Sequence, residues 1–427
     1  MNMKMIEIIV EKRKIILFVL PFVLLVVPKF FTGLELGDGL PRLGETYYLY
    51  KNLDQILLYP LPPIWYYITL SVFAITGSII LAGLVSPILT SILVYLTYLV
   101  FSKWFNERIA ILTYIFLLFT PELVARGMSS YLEPLAAIFI LITLHLYLYA
   151  KTNKDIIKSG FVFGIAQLSK YSSLFMIPVF IVHEIITKRS FKKLVLFLAI
   201  TLIICSPLFI RNYIVYNNPI EPWNTTVTRT QQDYINRMKY FGSWPRFIAM
   251  AYSSYYFSSA NVGVFIPDEI RFATGAMFFD WGNIITVKTP GGRILKYHIF
   301  DILASGILFI LMITGFFALY KKDRERFYLV INILFWAMAL FIPWSIRVYA
   351  PAARYIFYTF PFLALLNTFG FEYVNNKIKN KTFKKIFLVV VILSLLYLYI
   401  LQIWRAVLFH QYYTDILNHP YISRLFA

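Results

Sequence analysis

Cysteine is all but missing: Cys205 is the single one in 427 residues. An internal disulfide framework is therefore excluded, and the thiol count says nothing about redox compartment. Charge is also scarce. Asp, Glu, Lys and Arg make up only 14% of the chain, against about 25% in soluble globular proteins. Acids are the scarcer sign, 21 against 40 bases, which leaves a net charge of +19. The usual soluble catalytic signatures are lacking too. There is no GxxxxGK[ST] phosphate loop and no HExxH, and the five histidines are scattered without a ligand pair, so the sequence offers no zinc site. Gly291-Gly292 is a turn signal and nothing more. No internal repeat, low-complexity tract or disordered tail is visible.

What fills the chain instead is apolar: 59% of residues are hydrophobic. Apolar runs of about 20 residues recur, most of them long enough as a helix for a hydrocarbon core of about 30 Å. Alternating segments of about 10 residues, the mark of a membrane β-barrel, do not occur. The expectation is an all-α polytopic membrane protein, a bundle of about 11 (11–13) transmembrane helices of roughly 20 residues each. The runs lie near 15–32, 81–102, 108–125, 132–150, 157–170, 172–187, 194–210, 298–320, 327–344, 355–374 and 385–404. The first follows Lys12-Arg13-Lys14, exceeds a signal-peptide core and lacks a small-residue cleavage site, so it reads as a retained helix.

In a soluble protein a charge of +19 would suggest nucleic acid. Here the bases sit in short clusters between apolar runs, and the aromatics lie within or at the ends of those runs. A single-stranded nucleic-acid groove would need exposed aromatics among the bases, so no nucleic-acid partner is expected. The clusters at Lys12 to Lys14, Lys151/Lys154/Lys158, Lys188 to Lys193, Lys321 to Arg326 and Lys377 to Lys385 all fall on one side of the span count. The positive-inside rule makes that side cytoplasmic. The expectation is a multi-pass plasma-membrane protein with a cytoplasmic N-terminus. Residues 1–427 then form one membrane-embedded domain, with a first outer loop at 33–80 and a large outer loop at 211–297. Within the first loop, "YPLPPIWYYITL" (59–70) suits an interfacial helix in the headgroup layer. One more span there would put the basic clusters outside. The runs 157–170 and 172–187 are short, and Lys170 is placed at an outward-facing turn between them.

Polar residues gather at the outer ends of the helices. The stretch "GDGLPRLGETYYLYKNL" brings Asp38 and Glu45, and "ARGMSSYLEPLAA" brings Glu133. A positioned carboxylate that takes a proton from an attacking hydroxyl supplies about 10²–10⁴-fold in rate. The plainer reading is a solvated loop for the first two, and for Glu133 a helix N-terminal charge favoured by the dipole and paired with Arg126. Lys170, Arg211, Arg347 and Arg354 fall at the same face. Arg grips phosphate through a bidentate fork and Lys acts as a point charge, so together they suit a lipid phosphate. Ordinary snorkelling to headgroups is the alternative for any one of them.

In order, "GETYYLYKNL", "YPLPP", "ARGMSSYLEP", "GIAQLSKYSSLFMIP", "PLFIRNYIVYNNP" and "RYIFYTFPFLALL" resemble the GT-C membrane glycosyltransferases of the protein mannosyltransferase and lipid A aminoarabinose transferase type, over residues 1 to about 375. The resemblance implies a GT-C-like bundle with interfacial helices, a donor sugar on a polyprenyl phosphate, and transfer at the outer face to a glycan, lipid or protein acceptor. It matches Glu133-Pro134 to the family's second acid, Lys170 to its "TKY"-like lysine, and Arg354-Tyr355 to its late Arg-Tyr. The family's first Asp-Glu pair aligns with Gly44-Glu45, so its Asp is lost here, and either Asp38 or Glu45 is left as the base. The Trp-Trp-Asp signature of oligosaccharyltransferases is missing. A divalent metal ion near the acids is compatible with carboxylates and phosphates, though no cluster demands one. Rival readings are a transporter or lipid flippase, and a non-catalytic binder of a lipid-linked sugar.

Overall fold

Prolines, glycines and capping side chains divide the apolar runs into helices of definite length. The computed structural model describes residues 3–32, 39–53, 63–187, 191–217, 219, 285–288, 294–297, 299–348 and 357–417. In chain order the helices are α1 (Met3–Thr32), α2 (Gly39–Lys51), α3 (Pro63–Thr76), α4 (Ile79–Gly83), α5 (Val85–Trp104), α6 (Glu107–Leu118), α7 (Pro121–Gly127), α8 (Glu133–Leu148) and α9 (Asn153–Ser169). A 3-10 turn (Tyr171–Met176) leads into α10 (Ile177–Thr187) and α11 (Phe191–Tyr216). A small antiparallel hairpin, β1 (Ile285–Lys288) with β2 (Ile294–Tyr297), pairs Ile285 with Tyr297. The chain then returns to α12 (Ile299–Lys322), α13 (Arg324–Val348), α14 (Phe360–Lys377) and α15 (Lys381–Leu417).

Each apolar run read from the sequence is mainly helical among the described residues; residues 298, 355 and 356 lie outside them. Four helical segments among the described residues are long and apolar enough to cross a membrane: Ile79–Trp104, Phe191–Val215, Leu303–Lys322 and Lys381–Ile400. Their outer faces carry exposed Leu202, Ile203, Ile310 and Ile400. This is the apolar surface a bilayer covers.

Three details depart from the expected spans. The run 108–125 is not one helix. It breaks at Phe119 and Thr120, because Pro121 has no N–H to donate and opens α7 instead. The run 172–187 begins in the 3-10 turn, and α11 continues to Tyr216, which places Arg211 on the helix rather than in a loop. Local caps explain several starts. Ser78 accepts the Leu81 N–H at 3.3 Å, just after Gly77 turns the chain at φ +65°, a conformation natural to glycine. Asn106 accepts the Ile109 N–H at 3.0 Å. Thr152 and Asp155 form a capping box. The bonds from Thr152, with one from the Lys151 N–H, hold the Asp155 carboxyl below its usual range.

Two glycine crossings bring helices close. A Cβ on Gly315 of α12 would sit 1.7 Å from the Leu366 carbonyl oxygen, and one on Gly370 of α14 would sit 1.8 Å from that of Leu311. Gly160 and Gly164 of α9 lie against α11 in the same manner, at Phe197 and Ile204. This is the small-residue packing of membrane helices. Nearby, Phe163, Phe180, Phe197 and Tyr147 stack into one buried aromatic cluster.

The basic turns converge at one end of the bundle. Arg13 of α1 meets Glu107 of α6 at 3.6 Å. Trp104 donates to His145 near the end of α8 at 3.0 Å. Arg108 and Lys322 both reach Glu372 near the end of α14, at 2.9 and 3.7 Å. The other end of α8, which starts at Glu133, belongs to the opposite rim.

Candidate functional site

Glu133 opens α8 directly before Pro134. Pro suits the first helical positions, where its missing N–H costs nothing, and an acid there is favoured by the helix dipole. The carboxylate is 4% exposed and forms an ion pair with Lys170, whose side chain is 14% exposed. Lys170 is held in extended conformation where α9 ends and the 3-10 turn begins. Two residues 37 positions apart are thus joined in a nearly dry setting, where losing one partner of an ion pair is expensive.

Lys170 leads directly into Tyr171. The Tyr171 hydroxyl accepts a 2.6 Å hydrogen bond from the Asn212 amide. Asn212 is fully buried, and its side-chain oxygen accepts two bonds from Arg211, at 3.1 and 2.6 Å. The structure therefore pairs Glu133 with Lys170 directly and links Arg211 to them only through Asn212 and Tyr171.

Glu45 lies on α2. It takes a 3.0 Å ion pair from Arg42, one turn earlier, and a hydrogen bond from the Tyr66 hydroxyl of α3. Arg42 also donates to that hydroxyl at 2.8 Å, so the three groups form a closed triangle. The two helices are fastened below it by a 3.1 Å contact between the Thr46 and Thr69 hydroxyls.

α3 joins this triangle to the Glu133 pair. Trp65, adjacent to Tyr66, donates to the Ser86 hydroxyl at 3.1 Å, and Ser86 donates to the Tyr131 carbonyl at 2.8 Å. Tyr131 is two residues before Glu133. Leu49, Trp65, Tyr66, Leu132 and Leu135 pack as one buried cluster beneath these polar groups. The Trp-Tyr-Tyr segment suits an interfacial helix, and its three rings do not share one environment. Trp65 and Tyr66 face protein, at 0% and 1% exposure, and Tyr67 alone of the three is exposed. The reason is polar: both side chains have donors that find acceptors inside. α3 has 14 residues, about 21 Å of helix at 1.5 Å per residue, short of a hydrocarbon core of about 30 Å.

Asp38, Arg354 and Tyr355 lie outside the described residues, as does most of 211–297. Arg347 lies on α13, with its side chain outside the described ones. The sequence reading passed over Arg42, Tyr66, Tyr171 and Asn212. Arg42 was within reach of it, three residues before Glu45 on a helix; the other three are paired across tens of residues. Glu133 pairs with Lys170, the partner that sequence proximity to Arg126 did not suggest. Among the described residues no three His, Cys, Asp or Glu side chains form a metal-binding group. Glu45 and Glu133 are each engaged by a cation, so the described donor set does not fit a divalent ion.

Residues 61–210 match the family model for dolichyl-phosphate-mannose-protein mannosyltransferases. The matched stretch contains Tyr66, Glu133 and Lys170, and leaves out Glu45. No curated protein sequence matches the chain. Among solved structures, the oligosaccharyltransferase of Archaeoglobus fulgidus tethered with an acceptor peptide superposes at a TM-score of 0.55 and 15% identity, covering 92% of this chain and 55% of that one. The same enzyme in complex with Zn and sulfate gives a TM-score of 0.53 and 16% identity, over 92% and 53%. ArnT from Cupriavidus metallidurans bound to undecaprenyl phosphate aligns at 0.42 and 14% identity, over 86% and 81%. The archaeal superposition shows a shared fold, and this chain spans about half the length of that protein.

Proposed function

We propose that this chain, which matches a mannosyltransferase family model over residues 61–210 and shares its fold with an archaeal oligosaccharyltransferase, is a GT-C glycosyltransferase that moves a sugar from a polyprenyl-phosphate-linked donor to an acceptor at the outer face of the plasma membrane. The observation that carries this reading is the continuous path along one rim. It runs from Glu45 through Tyr66, Trp65, Ser86 and Tyr131 to the Glu133–Lys170 pair, and on through Tyr171 and Asn212 to Arg211.

Such a rim suits an in-line displacement. Glu45, or Asp38 seven residues before it, takes the proton of an acceptor hydroxyl or amine. The freed lone pair forms a bond to the anomeric carbon, and the bond from that carbon to the phosphate oxygen breaks. The lipid phosphate leaves with the electron pair. Lys170 and Arg211 face the charge that grows on it, with Arg347, Arg354 and Tyr355 as further phosphate ligands. Preorganised charges of this kind often supply the largest catalytic term. Glu133 acts as a positioning residue: it fixes the Lys170 ammonium and limits its wandering towards solvent. Arg42 and Tyr66 fix Glu45 in the same way.

One observation favours a second reading, a binder of lipid-linked sugars without turnover: Gly44 stands where the resembled family has its first Asp. One experiment tests both. Purified protein in liposomes is given a panel of labelled polyprenyl-phosphate sugars, and free lipid phosphate is scored. Turnover is expected with at least one donor, falling about 10²–10⁴-fold in Glu45→Gln if that carboxylate is the base. Lys170→Met is expected to lose turnover comparably. Donor binding without release across the panel would leave the binding reading, and unchanged turnover in Lys170→Met would remove the phosphate-stabilising role.

A further inference from the structure

The basic end of the bundle holds a cleft that the transfer reaction does not use. It has a volume of about 360 Å³, within the range of about 300–1,000 Å³ typical of ligand sites. Tyr147, Tyr149, Lys151, Glu184 and Lys193 line it. Glu133 and Leu148 bound α8, a helix of 16 residues. The cleft is therefore about 24 Å along that helix from the Glu133 rim, at 1.5 Å per residue.

Glu184 is the unusual member. It is 2% exposed. Its Oε1 accepts the Tyr147 hydroxyl at 2.9 Å, while Oε2 is buried with no hydrogen-bond partner among the described residues. Buried carboxylate oxygens are normally matched by a donor, because hydration has been lost. The two lysines on the cleft wall do not supply one: no ion pair joins either to Glu184 among the described residues. The cleft thus offers two ammonium groups and, deeper in, one unmatched carboxylate oxygen. Its complement is an anion that also carries an N–H donor of positive charge. Exposed Tyr149 at its mouth suits the membrane interface, where Tyr is favoured. Basic pockets between membrane helices bind lipid head groups.

We propose that this cleft binds the phosphoethanolamine group of a phospholipid. The phosphate lies between Lys151 and Lys193, and the ammonium donates to Glu184 Oε2. A choline head group satisfies the lysines but has no N–H for the carboxylate. A glycerol head group has no cation.

Native mass spectrometry of the purified full-length protein with equimolar phosphatidylethanolamine, phosphatidylcholine and phosphatidylglycerol tests this. Phosphatidylethanolamine is expected to be retained at least tenfold over the other two. Glu184→Gln keeps an oxygen for Tyr147, and is expected to abolish that preference while retention of phosphatidylglycerol holds. The partly solvated Lys151→Ala/Lys193→Ala double variant, which leaves the buried bonds intact, is expected to lose retention of all three. Equal retention of phosphatidylethanolamine and phosphatidylcholine by the unaltered protein overturns the proposal, as does a preference that survives in Glu184→Gln. Displacement by excess soluble phosphoethanolamine would assign the site to the free ester, and resistance to it to the lipid. Transfer activity is not the readout, so the result stands apart from that of the rim.

Discussion

Tyr66 shows how a single side chain was hidden in the sequence. Its segment, Trp65-Tyr66-Tyr67, has the composition of an aromatic belt, and that composition is the same whether a ring faces lipid or protein. Its hydroxyl meets Glu45 because α2 and α3 are packed together, a pairing 21 residues apart in the chain. Arg42 was accessible to sequence reasoning because it lies one helical turn from Glu45. If Glu45 is the base, its orientation depends on both. A hydrogen bond to a charged group contributes about 1.5–3 kcal/mol, so Tyr66→Phe is expected to lower kcat about tenfold to a hundredfold, with the donor KM little changed. Steady-state kinetics in liposomes measure that split. An equal fall in kcat and in folded yield would mark Tyr66 as structural only. The Glu133–Lys170 pair was half-legible. Both residues were singled out as charges at one face, but their direct contact depends on where α9 ends.

Helices themselves were readable from hydropathy, because about 20 apolar residues in a bilayer have few other ways to satisfy their backbone. Their breaks were less so. Pro121 ends one run early, and Lys170 in extended conformation separates α9 from a 3-10 turn. Which helices touch was not readable at all. Gly315 and Gly370 sit on segments 55 residues apart in number, yet each occupies the space a Cβ would need beside the other helix's carbonyl. Overpacking typically costs about 1–3 kcal/mol and occasionally more. Gly370→Ala places its Cβ against rigid backbone, so it is expected at the high end, about 3 kcal/mol or above. A fall of several degrees in thermal unfolding midpoint in detergent would show it, whereas Gly306→Ala, with open space around its Cβ, is expected to be nearly silent.

Across the whole molecule the ion pairs and ring contacts gather the basic turns at one end and the acid-bearing rim at the other. By the positive-inside rule the first end is expected to face the cytoplasm, and this orientation is directly testable. Cys205 is buried, so Cys205→Ala gives a silent background. In that background Tyr48→Cys, at an exposed site on α2, is expected to react with an impermeant maleimide in sealed cells. Lys154→Cys, at an exposed site on α9, is expected to react only after permeabilisation. The reverse pattern would put the rim inside and remove the outer-face transfer reaction. The amino-acid order by itself determined that this is a helical membrane protein, where its apolar runs lie and which charges stand at their ends. Those properties follow from local transfer energies and chain connectivity. Tertiary structure decided which charges meet: Glu133 with Lys170, Glu45 with Tyr66, Arg211 with Asn212. Such contacts depend on how close helices approach and how they are rotated, which glycines and buried side chains set jointly from distant parts of the chain.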